Sequence, residues 1–146
     1  MNHRKVLLWV TVAVIILLLA TAPAAARDYG PYVAKVARVV DGDTLEIEVE
    51  VWPGLTARSR VRLAGVNAPE SRGKISDCER DAGKRATAFT REWVEQPGAL
   101  TVVLSAQDKY GRPLVHVRRD AEDLGVALIA AGLAHRYDGG KRGAWC

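Results

Sequence analysis

The sequence contains few cysteines, histidines and aromatic residues. Of its 146 residues only two are cysteines and three are histidines, and aromatic residues make up 6%. Cysteines and histidines this few and this scattered do not form a zinc-ligand cluster. The formal net charge is only +4, so the chain lacks a strong global field for nucleic acid. Its length predicts one domain with a real core.

Charge is also missing from one long stretch near the amino terminus. The basic pair Arg4-Lys5 precedes an uncharged apolar run over residues 6–20, and the small residues 23–26 offer a cleavage site. This pattern predicts a signal peptide over residues 1–26 and an exported protein, periplasmic or secreted. The alternative is a membrane anchor over residues 6–26. Without the leader the chain keeps 19 basic and 17 acidic residues, so its net charge is only +2. Any anion site must therefore depend on locally placed arginines.

The two cysteines are Cys78 and Cys146. An even cysteine count in an exported protein favours a disulfide, because that compartment is oxidising. The bridge would join the last residue to the middle of the chain. The alternatives are two free thiols or a bond between molecules.

Hydrophobic periodicity predicts three strands, a helix, two strands and a short helix. The strands are predicted over residues 32–40, 44–51, 58–63, 100–106 and 114–117, and the short helix over 123–131. In the second strand, Leu45, Ile47, Val49 and Val51 face one way. The longer helix begins at a capping box, Ser76 and Glu79, and ends before Pro97. Its apolar stripe is Cys78, Ala82, Ala86, Phe89 and Trp93. The pattern indicates an α+β domain with a mostly antiparallel sheet.

The turn Asp41-Gly42-Asp43 joins the first two predicted strands. Its two carboxylates suit a hard cation such as Ca²⁺, although Asp-Gly-Asp is also an ordinary turn sequence. After the third strand, Pro69 constrains Ala68 and fixes how Asn67 and Glu70 project. Glu70 is a candidate general base for water, and the alternative is an exposed loop glutamate.

Arginines lie on both sides of this segment. Arg62 lies near the end of the third strand, where its guanidinium could bind two phosphate oxygens. The alternative is a cross-strand partner for the glutamates of the second strand. The turn Asp108-Lys109-Tyr110-Gly111-Arg112 holds the second arginine. It is either a polar hairpin turn or the place where Arg112 faces Arg62 across a phosphate, with Lys109 and Tyr110 contacting neighbouring phosphate or sugar groups.

Taken together, these segments resemble the staphylococcal nuclease (thermonuclease-like) family from about Tyr32 to Tyr137. The motifs that carry the resemblance are Val-Asp-Gly-Asp-Thr at 40–44, Arg-Leu at 62–63, Ala-Pro-Glu at 68–70, Asp-Lys-Tyr-Gly-Arg at 108–112 and Ala-Gly-Leu-Ala at 131–134. The resemblance implies a five-stranded OB-type Greek-key barrel over residues 27–146, with a helix after the third strand and a short carboxyl-terminal helix.

The resemblance also implies Ca²⁺-dependent hydrolysis of DNA and RNA phosphodiesters by a protein expected to act as a monomer. Asp43 would bind the metal with the Ala68 carbonyl, Glu70 would activate water, and Arg62 and Arg112 would stabilise the transition state. Tyr137 would lie along the nucleotide cleft.

Two features depart from the family pattern. Asn67 stands where the family has an aspartate, so the metal site loses one negative charge and its Ca²⁺ affinity is expected to fall. The alternative function is therefore an OB-fold module that binds nucleic acid or another polyanion without cutting it. The chain also ends in a short glycine-rich tail, which a Cys78–Cys146 bridge could anchor.

Overall fold

The structure is a computed structural model that describes residues 28–146. The predicted leader over residues 1–26 lies outside that range and stays a prediction. Eight strands and two helices form the described part. In chain order they are β1 Tyr29–Asp41, β2 Thr44–Trp52, β3 Leu55–Leu63, β4 Val66–Asn67, α1 Asp77–Glu95, β5 Leu100–Gln107, β6 Pro113–Arg119, β7 Glu122–Asp123, α2 Leu124–Ala130 and β8 His135–Arg136.

The five long strands close into a barrel, as predicted. The main sheet has the order β3-β2-β1-β5-β6-β7, and a parallel pairing of β3 with β6 closes it. All other strand pairs of this sheet are antiparallel. The closing pair aligns Arg62 with Leu114 and Leu63 with Val115. Closure therefore brings the end of β3 beside the start of β6, although Leu63 and Pro113 are 50 positions apart in the sequence.

The barrel interior is filled by the alternating apolar residues of its strands. Leu45, Ile47, Val61 and Leu63 are each at most 3% exposed. Val51 was predicted to continue this buried face, but it is 45% exposed. The reason is that the β1–β2 pairing reaches only Ala34 opposite Val49, so the far end of β2 extends beyond the barrel.

Helix α1 begins and ends where its sequence signals predict. The Ser76 hydroxyl caps it by accepting a hydrogen bond from the Glu79 amide at 3.1 Å. Its buried residues are Gly83, Ala86, Thr90 and Trp93. Cys78 was predicted on the apolar stripe but is exposed, because it lies one turn before the part of α1 that packs on the barrel. No helix within residues 28–146 is long and apolar enough to cross a membrane.

Helix α1 also positions the two loops that lie above the barrel. The Thr90 hydroxyl donates to the Gly42 carbonyl at 2.7 Å. A Cβ added at Gly42 would come within 2.7 Å of the Ala86 Cβ, and one added at Gly83 would overlap the Glu70 carbonyl. The glycines thus allow α1 to pack directly against the backbone of both loops.

Candidate functional site

Arg62, Asp43, Asn67 and Ala68 meet at the mouth of the barrel. Arg58, Arg60 and Arg62 lie on the same face of β3. The register partners of Arg58 and Arg60 are Glu48 and Glu46. The register partner of Arg62 is Thr44, and strand β6 covers its other side. Arg62 is therefore 5% exposed. The cross-strand alternative holds for Arg58 and Arg60, and Arg62 instead enters the predicted cluster.

Three hydrogen bonds and one further ion-pair contact hold the Asp43 carboxylate. Oδ1 accepts from the Thr44 hydroxyl and from Arg62 Nη1, each at 3.0 Å. Oδ2 lies 2.8 Å from Arg62 Nη2 and accepts from the Ala68 amide at 2.9 Å. A carboxylate has about four lone-pair sites, so Asp43 is fully satisfied by its own chain. Arg62 Nη2 also donates to Asn67 Oδ1 at 3.0 Å, and the Asn67 side chain is thereby fixed beside Asp43.

The structure also allows a test of whether these residues fit a calcium ion. The donor types fit, because the Asp43 carboxylate and the Asn67 amide are hard oxygen ligands. Among residues 28–146, however, no group of three or more His, Cys, Asp or Glu side chains could hold a metal. The single carboxylate is neutralised by Arg62, so a cation could approach Asp43 only when Arg62 moves to another anion. A phosphate group is an anion of this kind.

Glu70 follows this cluster in the loop that α1 supports. Its Oε1 accepts a hydrogen bond from Arg142 Nη1 at 2.9 Å, and its side chain is 39% exposed. Next to it, the Ser71 hydroxyl donates to Asp41 Oδ1, which ties the Glu70 loop to the β1–β2 turn. Asp41 thus has a loop-tethering contact, whereas Asp43 pairs with Arg62.

Arg112 precedes strand β6 and pairs with Asp108. Asp108 Oδ1 accepts from the amides of Tyr110 and Arg112 at 2.8 and 3.0 Å, and Oδ2 accepts from Arg112 Nε at 2.7 Å. Burial raises the pKa of the Asp108 carboxyl, but these hydrogen bonds and the Arg112 charge outweigh it and leave the pKa below its ordinary value. The predicted hairpin turn is thus a rigid loop that fixes Arg112.

The turn residues before Arg112 face solvent. Lys109 Nζ and the Arg112 guanidinium lie 5.1 and 5.7 Å from the centre of the Tyr110 ring, and Tyr110 is 71% exposed. Arg112 is two residues from Leu114, the register partner of Arg62. The backbone therefore brings both arginines to one end of the barrel, where Arg62 pairs with Asp43 and Arg112 pairs with Asp108.

Tyr137 lies beside the same loop because β8 pairs with β4. Asn67 is opposite His135 in that pairing, and the Tyr137 amide donates to the Gly65 carbonyl at 2.9 Å. The Tyr137 hydroxyl donates to the Gly140 carbonyl at 2.9 Å. Its predicted contact with nucleotide stays a prediction, as do the roles of Lys109 and Tyr110 and that of the Ala68 carbonyl.

Cys78 and Cys146 are paired in the structure, with their Cα atoms 6.3 Å apart. This distance lies in the usual range for a disulfide. The pairing places the carboxyl-terminal tail beside the start of α1, and the disulfide itself stays a prediction.

Sequence reasoning missed three residues that shape the site. Arg142 was not predicted because no pattern links residue 142 to the Glu70 loop. Gly83 and Thr90 were not singled out, although a glycine and a polar residue on the buried face of a helix are unusual and could have signalled a close backbone approach.

The chain is similar in sequence to known nucleases. The model of the family "Staphylococcal nuclease homologue" matches residues 60–143, a range that includes Arg62, Glu70 and Arg112. The thermonuclease of Staphylococcus hyicus is 33% identical over 101 residues, which are 68% of this chain and 56% of that protein. An uncharacterized endonuclease of Escherichia coli O157:H7 is 30% identical over 107 residues, 71% of this chain and 60% of that protein.

A further relative is much longer. Endonuclease YhcR of Bacillus subtilis (strain 168) is 28% identical over 127 residues, 82% of this chain and 10% of that protein. The chain thus spans less than two thirds of each of these three relatives.

Proposed function

Since the chain belongs to the family of staphylococcal nuclease homologues, we propose that it is a nuclease that hydrolyses phosphodiester bonds of DNA or RNA. The observation that carries the proposal is the buried cluster of Arg62, Asp43 and Asn67 beside a half-exposed Glu70. Relatives named thermonuclease and endonuclease support the same reaction.

In the proposed mechanism, Arg62 and Arg112 bind the scissile phosphate. Each guanidinium presents a planar fork of donors that matches the oxygens of a phosphate. Each is held by one carboxylate, Asp43 or Asp108, and exchanges that partner for phosphate oxygens when substrate arrives. Their hydrogen bonds strengthen as negative charge builds at phosphorus.

Glu70 is the proposed general base. A carboxylate oxygen can accept a proton from water. Oε1 is engaged by Arg142, and no hydrogen bond within residues 28–146 involves Oε2. That second oxygen is available to the attacking water.

Calcium is the proposed cofactor, and Asp43 and Asn67 are the side chains that would hold it once Arg62 has turned to the phosphate. The ion would act as a Lewis acid on a phosphate oxygen. Because Arg62 must leave first, we expect Ca²⁺ and a nucleotide phosphate to bind more tightly together than separately.

A cleavage assay tests the nuclease. The described domain is incubated with denatured DNA in Ca²⁺ and in chelator, and Glu70→Gln is compared with Glu92→Gln on the exposed face of α1. Glu70→Gln should lower the rate by about 10²–10⁴-fold, and Glu92→Gln should leave it unchanged. Equally negligible cleavage with and without Ca²⁺ would contradict the proposed nuclease activity.

One observation favours a second candidate, a module that binds nucleic acid without cutting it. Asp43 is fully hydrogen-bonded and Asn67 is neutral, so the site could remain without metal and keep only its arginines. Such a module would bind single-stranded DNA in a salt-sensitive manner and release no product.

Export is a further part of the proposal, supported by the charge and apolar pattern of residues 1–26. Mass spectrometry of the protein recovered from its host should find the amino terminus at Arg27. A chain that retains residues 6–26 would indicate a membrane anchor instead.

A further inference from the structure

The carboxyl-terminal tail places an arginine against the proposed general base. Arg142 Nη1 donates to Glu70 Oε1 at 2.9 Å across 72 positions of sequence. The Arg142 side chain is 45% exposed, and that of Glu70 is 39% exposed. The pair therefore lies in the open mouth of the site, where a substrate could contact both groups.

The tail that carries Arg142 is fixed on both sides of it. Before it, the Tyr137 hydroxyl donates to the Gly140 carbonyl at 2.9 Å. After it, the Trp145 ring stacks on His135 with centroids 4.0 Å apart and planes 15° apart, and Cys146 is paired with Cys78. A segment held at several points has already lost much of its conformational freedom, so Arg142 is presented to the site in advance of binding.

Both carboxylates of the site act on the Arg142 charge. Burial lowers the pKa of its guanidinium, but the hydrogen bond and charge of Glu70, the Tyr137 side chain and the charge of Asp43 outweigh burial and raise the pKa above its ordinary value. Asp43 thus acts on the charges of both Arg142 and Arg62, although 80 positions of sequence separate the two arginines.

The Glu70 contact leaves most of the guanidinium available. Arginine has five N–H donors in a planar fork, and Nη1 is the atom that binds Glu70. A half-exposed ion pair of this kind is weak in water and readily shared with a phosphate. A blocking latch would be expected to cover both Glu70 oxygens, whereas Oε2 has no hydrogen-bond partner within residues 28–146.

We propose that Arg142 is a third substrate-binding arginine, which contacts a phosphate of the nucleic acid while it holds Glu70 through Oε1. The proposal rests on the proposed nuclease function and adds to it a residue supplied by the tail. It also gives the Cys78–Cys146 pairing a role, since the bond would keep Arg142 at the site.

Binding of a short single-stranded DNA in chelator tests the contact without any cleavage. Arg142→Gln should weaken binding and lower the slope of log affinity against log salt by about 0.7, the value for one phosphate contact to a single strand. The matched control is Lys141→Gln, which removes the same charge from an exposed neighbour that forms no ion pair within the described residues. It should leave the slope unchanged.

Turnover is the second measurement. Arg142→Gln should lower kcat/KM for denatured DNA by about 10²-fold, and Arg142→Lys should lie between it and the wild type because it keeps the charge and loses the fork. Thermal melting checks that the variants fold. If Arg142→Gln does not fold, Arg142→Met, which keeps part of the apolar stem, is used in its place.

Several outcomes would overturn the proposal. An unchanged salt slope in Arg142→Gln would mean that Arg142 contacts no phosphate, and faster cleavage would mean that the tail is an inhibitory latch. A wild-type protein that binds DNA but never cleaves it would disprove the nuclease proposal but not the proposed phosphate contact. The role of Arg142 would still be decided by comparing DNA binding of Arg142→Gln and Lys141→Gln.

Discussion

Asp43 and Arg62 form a buried ion pair at 2.8 Å, with 5% and 7% of their side chains exposed. Breaking a buried pair by removing one partner leaves an uncompensated charge. In the proposed mechanism this pair sets up a competition, because Asp43 would bind the cation and also neutralises Arg62, which would bind the phosphate. This competition underlies the first prediction.

Asn67→Asp should raise Ca²⁺ affinity in the absence of nucleic acid by about tenfold or more, since ligand charge is a main determinant of Ca²⁺ affinity. With Arg62 shared between two carboxylates, the cluster would hold one surplus negative charge. Isothermal titration calorimetry measures the change. Gln96→Glu adds the same charge beyond the far end of α1 and should have no effect. An unchanged affinity in Asn67→Asp would show that the missing charge does not limit metal binding.

Gly83→Ala should destabilise the protein by about 1–3 kcal/mol and slow cleavage, because the added Cβ overlaps the Glu70 carbonyl and displaces the loop. Helix propensity alone predicts the opposite sign, a gain of about 1 kcal/mol. Urea unfolding and kcat/KM are the measurements. Ala88→Gly on the exposed face of α1 should lose about 1 kcal/mol by propensity without a kinetic effect. A stabilised, fully active Gly83→Ala would contradict the close packing described for this helix.

The ionised Glu46 carboxylate should make the free energy of unfolding depend on pH in the acid range. Hydrogen bonds from Arg38 and Arg60 lower the pKa of its carboxyl from 4.5 to about 2. Because the folded pKa lies below the unfolded one, the stabilisation is complete above about pH 4.5 and is lost as the pH falls towards 2.

The measurement is the difference in urea midpoint between wild type and Glu46→Gln from pH 6 to about 2. That difference should be constant at the upper end and shrink below about pH 4.5. Glu92→Gln, which removes a glutamate without an ion pair in the described part of the chain, serves as the control. A difference that stays constant down to pH 2 would argue against the Arg38–Glu46–Arg60 contacts.

A disulfide between Cys78 and Cys146 should contribute about 2–4 kcal/mol to stability, because it closes a loop across a separation of 68 positions. Thiol titration of the denatured, unreduced protein should find no free thiol. Reductant should lower the unfolding midpoint of the wild type and leave a Cys78→Ser, Cys146→Ser double variant unaffected. Two titrating thiols in protein purified under oxidising conditions would show that the bond does not form.

The sequence predicted the elements well wherever a local signal existed. The alternation around Leu45 and Ile47 gave strand β2 its buried face, and the capping box at Ser76 gave the start of α1. The prediction failed at Val51, since alternation does not tell where a neighbouring strand stops. The short β4–β8 pairing was not predicted either, because two residues are too few for a periodic pattern.

For the site, the residue types in the motifs determined which side chains could carry phosphate and metal chemistry. Only the tertiary structure decided their partners: closure of β3 on β6 buries Arg62 against Asp43, and the tail brings Arg142 to Glu70. The physical reason is that secondary structure follows from interactions between residues a few positions apart. An ion pair across 19 or 72 positions depends instead on strand register, on how the barrel closes and on where its tail is attached.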